Sequence, residues 1–113
     1  MDSLFEAADS GEDRHGRLEE LAKQVAVCTR CDLSQSRTNT VFGSGDPHSP
    51  LMLVGEGPGE NEDATGLPFV GRAGKLLDDI LAAVNLSRDQ VYLTNTVKCR
   101  AAVEEGGRMK NRQ

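Results

Sequence analysis

A chain of 113 residues with 37% hydrophobic and 4% aromatic content, and no Trp, is one small domain with a thin core. Its net charge of −5 argues against nucleic-acid binding through bulk positive charge alone. No apolar run reaches the roughly 18 residues of a membrane span, and the N-terminus lacks the basic start and apolar stretch of a signal peptide. The expected compartment is therefore the cytoplasm, where cysteines stay reduced.

Residues 1–16, "MDSLFEAADSGEDRHG", are acidic and rich in small residues and read as a disordered tail. Next, "RLEELAKQVAVC" sets Leu18, Leu21, Val25 and Cys28 on one helical face and predicts a helix. "RTNTVFGSGDPHSP" is turn-rich, with Gly43, Gly45, Pro47 and Pro50. "LMLVGEG" runs four apolar residues into glycines, as a buried parallel strand does at its C-terminal edge. "ENEDATGLPFVGRAG" shows no periodicity and reads as a long loop. "AGKLLDDILAAVNL" predicts an amphipathic helix with Leu76, Leu77, Ile80, Leu81 and Val84 on its apolar face. A second strand is expected around Val91–Asn95, which completes a βαβ unit with a right-handed crossover. The remaining "CRAAVEEGGRMKNRQ" is polar and reads as neither strand nor helix. Two strands do not make a sheet with both faces covered, so residues 17–113 are expected to be the N-terminal part of a longer α/β domain.

Ligands in open parallel sheets bind beyond the carboxyl ends of the strands. Two such ends carry unusual sequence: "GEGPGENED" over residues 55–63 and "TNTVKC" over 94–99. Glu56, Glu60, Glu62 and Asp63 could bind a metal, act as bases, or be a solvated acidic loop. A dinucleotide fingerprint fails because Glu60 stands where a third glycine is needed and Pro58 interrupts the helix start. A Walker A loop fails because Phe69 and Leu76 stand where Gly and Ser/Thr are required around Gly74–Lys75. Charge is uneven: residues 88–113 hold six basic side chains (Arg88, Lys98, Arg100, Arg108, Lys110, Arg112) against three acids. That end could face phosphates or simply solvent.

The three cysteines, Cys28, Cys31 and Cys99, leave several readings open. A redox C-x-x-C should follow a strand, whereas "VCTRC" follows a predicted helix. Zinc would need a fourth ligand, with His48 the nearest imidazole. An iron–sulfur cluster usually takes four thiolates. Unliganded core cysteines are the plain alternative.

Taken together, "CTRC", "GEGPGENEDATGLPFVGRAGKLLDDIL" and "VYLTNTVKCR" resemble the N-terminal part of the family 4, iron–sulfur uracil-DNA glycosylases. The likeness runs from Leu18 to Arg100, with the motifs in family order and spacing. It implies a three-layer α/β/α fold around a parallel central sheet, of which only the N-terminal part is present. It also implies hydrolysis of the N-glycosidic bond of uracil in DNA, by a cytoplasmic monomer acting on uracil-containing DNA. Cys28, Cys31 and Cys99 match three of four ligands of a 4Fe-4S cluster, the fourth lying outside this chain. Glu56, Gly57 and Pro58 match the motif at the flipped base and sugar, and Glu62 an acidic position near the base pocket. Phe69 matches the ring that stacks on uracil, and Asn95 the amide that reads its polar edge.

Chemistry fits those roles. A flipped base loses stacking worth a few kcal/mol, part of which a stacking ring recovers. An Asn amide offers a donor and an acceptor together, matching N3–H and O4 of uracil, whereas cytosine presents the reverse. Gly57 has no side chain to act as a base, so Glu56, ranked first, or Glu62 could polarise the water, unless the dissociative character of the reaction makes a strong base unnecessary. His15 and His48 stand in the wrong context to stabilise the leaving base, and residues 101–110 read as an insertion relative to the family. The chain alone is therefore expected to be weakly active or inactive. The rival expectation is a non-enzymatic metal-binding module, holding zinc or a cluster, associated with DNA or a polymerase.

Overall fold

The computed structural model describes residues 11–111, with the side chains of residues 11 and 12 excepted. Helix α1 spans Gly11–Ala26, α2 Leu33–Ser36, α3 Glu60–Thr65 and α4 Arg72–Ala83. The strands are β1 Gly43–Gly45, β2 Met52–Gly55, β3 Tyr92–Asn95, β4 Ala102–Glu105 and β5 Arg108–Asn111. A short 3-10 turn, Arg88–Gln90, leads into β3. No helix of the described residues is long and apolar enough to cross a membrane.

The expected strand–helix–strand unit is present as β2–α4–β3. β2 and β3 run parallel, with Leu53 opposite Leu93 and Gly55 opposite Asn95. β1 joins the other edge of β3 antiparallel, so this sheet is mixed, in the order β1–β3–β2. β1 is three residues, Gly-Ser-Gly, and owes its strand state to pairing with β3.

Side chains two apart along a strand share a face. Leu53 and Leu93 therefore share a face with Gly55 and Asn95. That face meets α4: Leu81, Val91 and Leu93 are buried together, with Leu53, Phe69, Leu77 and Leu86 packed against them. Burying each aliphatic side chain contributes about 1.5–3 kcal/mol. The predicted apolar face of α4 is only half used. Leu77 and Leu81 reach the core, whereas Leu76, Ile80 and Val84 stay exposed. β2 also departs from the buried strand expected: it is covered on one face only, and Met52 and Val54 on the other are exposed.

Four expectations need correction. Helix α1 begins at Gly11, so residues 11–16 are helical rather than a disordered tail; the expectation for residues 1–10 lies outside the described residues. The stretch read as one long loop contains α3, whose first turn carries Glu60, Glu62 and Asp63, acids that favour a helix N-terminus. Residues 102–111, read as neither strand nor helix, form the β4–β5 hairpin. Gly106 and Gly107 both hold positive φ at its tip, as a two-residue hairpin turn requires. Leu21, placed on the buried face of α1, is 48% exposed.

Candidate functional site at the ends of strands β2 and β3

The C-terminal ends of β2 and β3 lie side by side and continue as an extended pair. The N–H of Thr96 donates to the Gly55 carbonyl at 2.9 Å and that of Val97 to the Glu56 carbonyl at 3.0 Å. The Thr96 hydroxyl donates to the same Glu56 carbonyl at 2.8 Å. This lashes the first loop to the second strand.

Asn95 is 4% exposed and stands beside Gly55 in the parallel register. Its side-chain oxygen lies well inside contact distance of where a Gly55 Cβ would stand, and the Phe69 ring Cζ is 2.9 Å from that point. Gly55 must therefore be glycine for ring and amide to close together. Phe69 itself has φ 54°, a left-handed conformation rare for a side-chain-bearing residue. A strained backbone state at a loop aromatic costs about 1–3 kcal/mol and persists only where its surroundings enforce it.

The enforcement comes from two sides. Glu62 sits in the first turn of α3, where Oε1 accepts from the Gly59 N–H at 2.8 Å. Its Oε2 accepts from the N–H groups of Val70 at 2.9 Å and Gly71 at 2.8 Å. Glu62 thus ties the start of the first loop to the residues just after Phe69. Partial burial pushes its carboxyl pKa up, but the N–H donors of Gly71, Gly59 and Val70 outweigh that, and the net direction is down. From the other side, the guanidinium of Arg88 donates to the carbonyls of Pro68 (3.1 Å), Phe69 and Gly74 (3.2 Å).

A cleft of ≈ 390 Å³ opens next to this point, lined by Glu56, Gly57, Pro58, Gly59, Val97 and Cys99, with Ala101 and Asn111 from the base of the hairpin. Glu56 and Gly57 are exposed there and Pro58 is buried. Neither Phe69 nor Asn95 lines this cleft; Phe69 lines a separate cleft of ≈ 410 Å³ with Pro68, Val70, Asp78 and Arg88.

Asp63, an acidic neighbour of these residues, is 4% exposed and has a different task. It accepts from the N–H groups of Thr38 at 2.8 Å and Asn39 at 3.2 Å and so latches α3 to the segment after α2. Lys98 closes the end of β3. Its ammonium donates to Thr94 Oγ1 and to the Asn95 carbonyl, each at 2.6 Å, and lies 5.3 Å from the centre of the Phe42 ring. Burial pushes its pKa down.

The three cysteines are free thiols. Arg37 brings two of their segments together: Nη1 donates to the Cys28 carbonyl at 2.8 Å and to Cys99 Sγ at 3.3 Å. Cys31 is exposed, and His48 is exposed with its N–H on Asp46. Among the described residues, no group of three His, Cys, Asp or Glu is drawn together tightly enough to hold a metal ion.

Arg37, Arg88 and Lys98 were not singled out from the sequence as site residues. Hydrogen-bond partners lie up to 62 residues away for Arg37 and 20 for Arg88, and the Phe42 ring beside Lys98 is likewise remote in sequence, so no local pattern announces them.

Residues 42–113 match the model of the uracil DNA glycosylase superfamily. The chain is 54% identical over 84 residues to the type-4 uracil-DNA glycosylase of Sulfurisphaera tokodaii, covering 74% of this chain and 38% of that protein. It is 46% identical over 83 residues to the type-4 enzyme of Archaeoglobus fulgidus, covering 74% and 42%. Against the type-4 enzyme of Thermotoga maritima it is 48% identical over 87 residues, covering 77% and 45%. The chain thus spans less than half the length of these curated relatives.

Proposed function

This chain belongs to the uracil DNA glycosylase superfamily, and we propose that its β2–β3 end reads a flipped uracil for hydrolysis of the N-glycosidic bond in DNA. The observation that carries this is the convergence of the Phe69 ring and the Asn95 amide at Gly55. A ring and an adjacent donor–acceptor amide are what a uracil, stripped of its stacking partners, needs.

In this reading Phe69 stacks on the base and Asn95 pairs with its N3–H and O4. Gly57 and Pro58 shape the cleft beside the sugar. Glu56, exposed in the cleft, polarises the water that attacks the anomeric carbon. Departing uracil carries negative charge, and fixed dipoles aimed at that charge are the main source of acceleration. Glu62 is the weaker candidate for water, because three backbone N–H groups already occupy its oxygens. Its part is to hold the two loops that build the base pocket.

We assign Cys28, Cys31 and Cys99 as thiolate ligands of a 4Fe-4S cluster. Three soft sulfur donors suit iron–sulfur chemistry, one short of the usual four. The Arg37 contact that joins the Cys28 and Cys99 segments supports a common site. When bound, such a cluster would staple the α1–α2 corner to the end of β3.

The same proposal places residues 17–113 as the N-terminal part of a three-layer α/β/α domain with a largely parallel sheet. The parallel β2–β3 pair and the exposed apolar residues Met52 and Val54 support that placement. It also takes the protein as a cytoplasmic monomer whose partner is uracil-containing DNA.

The test is binding of labelled single-stranded oligonucleotides that differ only in one base. The proposal expects a uracil oligonucleotide to bind more tightly than its cytosine counterpart, and any turnover to show as alkali-labile abasic sites. Equal binding of the two, with no abasic product, would refute it.

A further inference from the structure

The geometry points to Arg88 as the positioning residue for Phe69, and through it as a determinant of how tightly the flipped base is held. This deepens the base-reading proposal above and rests on it for the identity of the base.

Arg88 lies in the 3-10 turn before β3, with its side chain 32% exposed. It touches neither Gly55 nor Asn95. Its planar fork serves the Phe69 loop and the start of α4: the carbonyls of Pro68, Phe69 and Gly74, with Nε on Asp78 Oδ1 at 2.5 Å. Asp78 belongs to α4, so Arg88 is itself held by the helix whose start it pins. Three carbonyls take their donor from this one cation, so removing it leaves all three acceptors without that partner and frees the segment to change shape.

Gly74 makes the same point from the opposite side. A Cβ there would lie well inside contact distance of the Phe69 carbonyl and 3.0 Å from Arg88 Nη2. The first turn of α4 can press on the Phe69 backbone only because Gly74 is bare. Phe69 is thus gripped at its carbonyl by Arg88 and at the following N–H groups by Glu62. With both grips in place its left-handed φ is enforced and the ring is delivered to Gly55. Lysine cannot substitute, because one ammonium on a flexible stem does not span three carbonyls and a carboxylate as the guanidinium fork does.

The experiment uses the full chain labelled with para-fluorophenylalanine. The fluorine NMR line of Phe69 is assigned by its loss in Phe69→Leu, and that of Phe42 by its loss in Phe42→Leu. Arg88→Lys and Arg88→Ala are expected to shift or broaden the Phe69 line while the Phe42 line stays in place. Asp78→Asn, which loosens Arg88 without removing it, is expected to give a smaller shift of the same line. Methylguanidinium added to Arg88→Ala is expected to return the Phe69 line toward its original position. In parallel, the affinity for a uracil oligonucleotide is expected to fall by between about ten- and a hundredfold in Arg88→Lys, the range that loss of one base–aromatic stack covers. An unmoved Phe69 line in both Arg88 variants overturns the proposal. So does movement of the Phe69 and Phe42 lines together, which would mark Arg88 as a general stabiliser. If the unsubstituted chain shows no uracil preference, the base-reading proposal fails, and the Phe69 line still decides the role of Arg88.

Discussion

The Phe69 ring and the Asn95 side-chain oxygen meet over the bare Cα of Gly55, although one comes from a loop before α4 and the other from the end of β3. The register supplies the reason. Gly55 is the parallel partner of Asn95, so the amide extends over a position without a side chain. The space left there is filled from the side by Phe69, which also packs on the core formed by Leu81, Val91 and Leu93. One ring therefore packs on the core and also reaches the position proposed for base stacking, so the two roles do not exclude each other.

Gly55→Ala places a methyl where the ring and the amide close. The expected outcome is loss of uracil-oligonucleotide affinity by about tenfold or more, with a drop in stability of about 1–3 kcal/mol from overpacking. Fluorescence anisotropy and urea melts measure the two effects separately.

Glu62 contributes stability through its ionised form. Its folded pKa lies below the ordinary carboxylate value, so the contribution is present above the unfolded pKa and is lost as pH falls through the folded pKa. Stability curves are expected to fall on the acid side of the ordinary carboxylate pKa, and Glu62→Gln is expected to flatten that part of the fall. At neutral pH the substitution is expected to cost about 1–3 kcal/mol, discounted for partial exposure. Urea melts across acid to neutral pH check both.

Anaerobic reconstitution with iron and sulfide is expected to give the broad visible absorbance of an iron–sulfur chromophore. Cys28→Ala and Cys99→Ala are each expected to abolish it, and chelation is expected to lower the melting temperature of the loaded chain. Stoichiometric zinc without colour would favour the metal-module alternative instead.

The β4–β5 hairpin pairs only with itself among the described residues, and Val103, Met109 and its charged side chains are exposed. Arg100 ties it back to the chain: Nε donates to Asn111 Oδ1 at 2.7 Å and Nη2 to the Met109 carbonyl at 3.4 Å. Replacing residues 103–110 by a short turn is expected to change the stability of the rest of the chain by less than about 0.5 kcal/mol, as surface changes usually do. Thermal melting of the shortened chain measures this.

The β2–α4–β3 unit was legible because its signals are local: an apolar run, a 3.6-residue period carried by Leu77 and Leu81, and glycines at the strand's end. β1 was hidden because Gly-Ser-Gly has no strand propensity and forms only against β3. α3 was hidden because six residues are too few to show a period. The hairpin did carry a signal, Gly106–Gly107 between two four-residue arms, but its polar composition masked it. Glu56, Phe69 and Asn95 were singled out through motif resemblance. Composition alone could not separate them from core or capping residues. The roles of Glu62 and Arg88 depend on contacts across α3, α4 and the turn before β3, which only the folded chain displays.

The central claim is that Asn95 reads the uracil edge beside Phe69. Its most direct measurement is the ratio of affinities for uracil and cytosine oligonucleotides in the unsubstituted chain and in Asn95→Ala. The account predicts a clear uracil preference that falls to near unity in Asn95→Ala while Phe69 still supports weak, base-independent stacking. A ratio left unchanged by the substitution would contradict it.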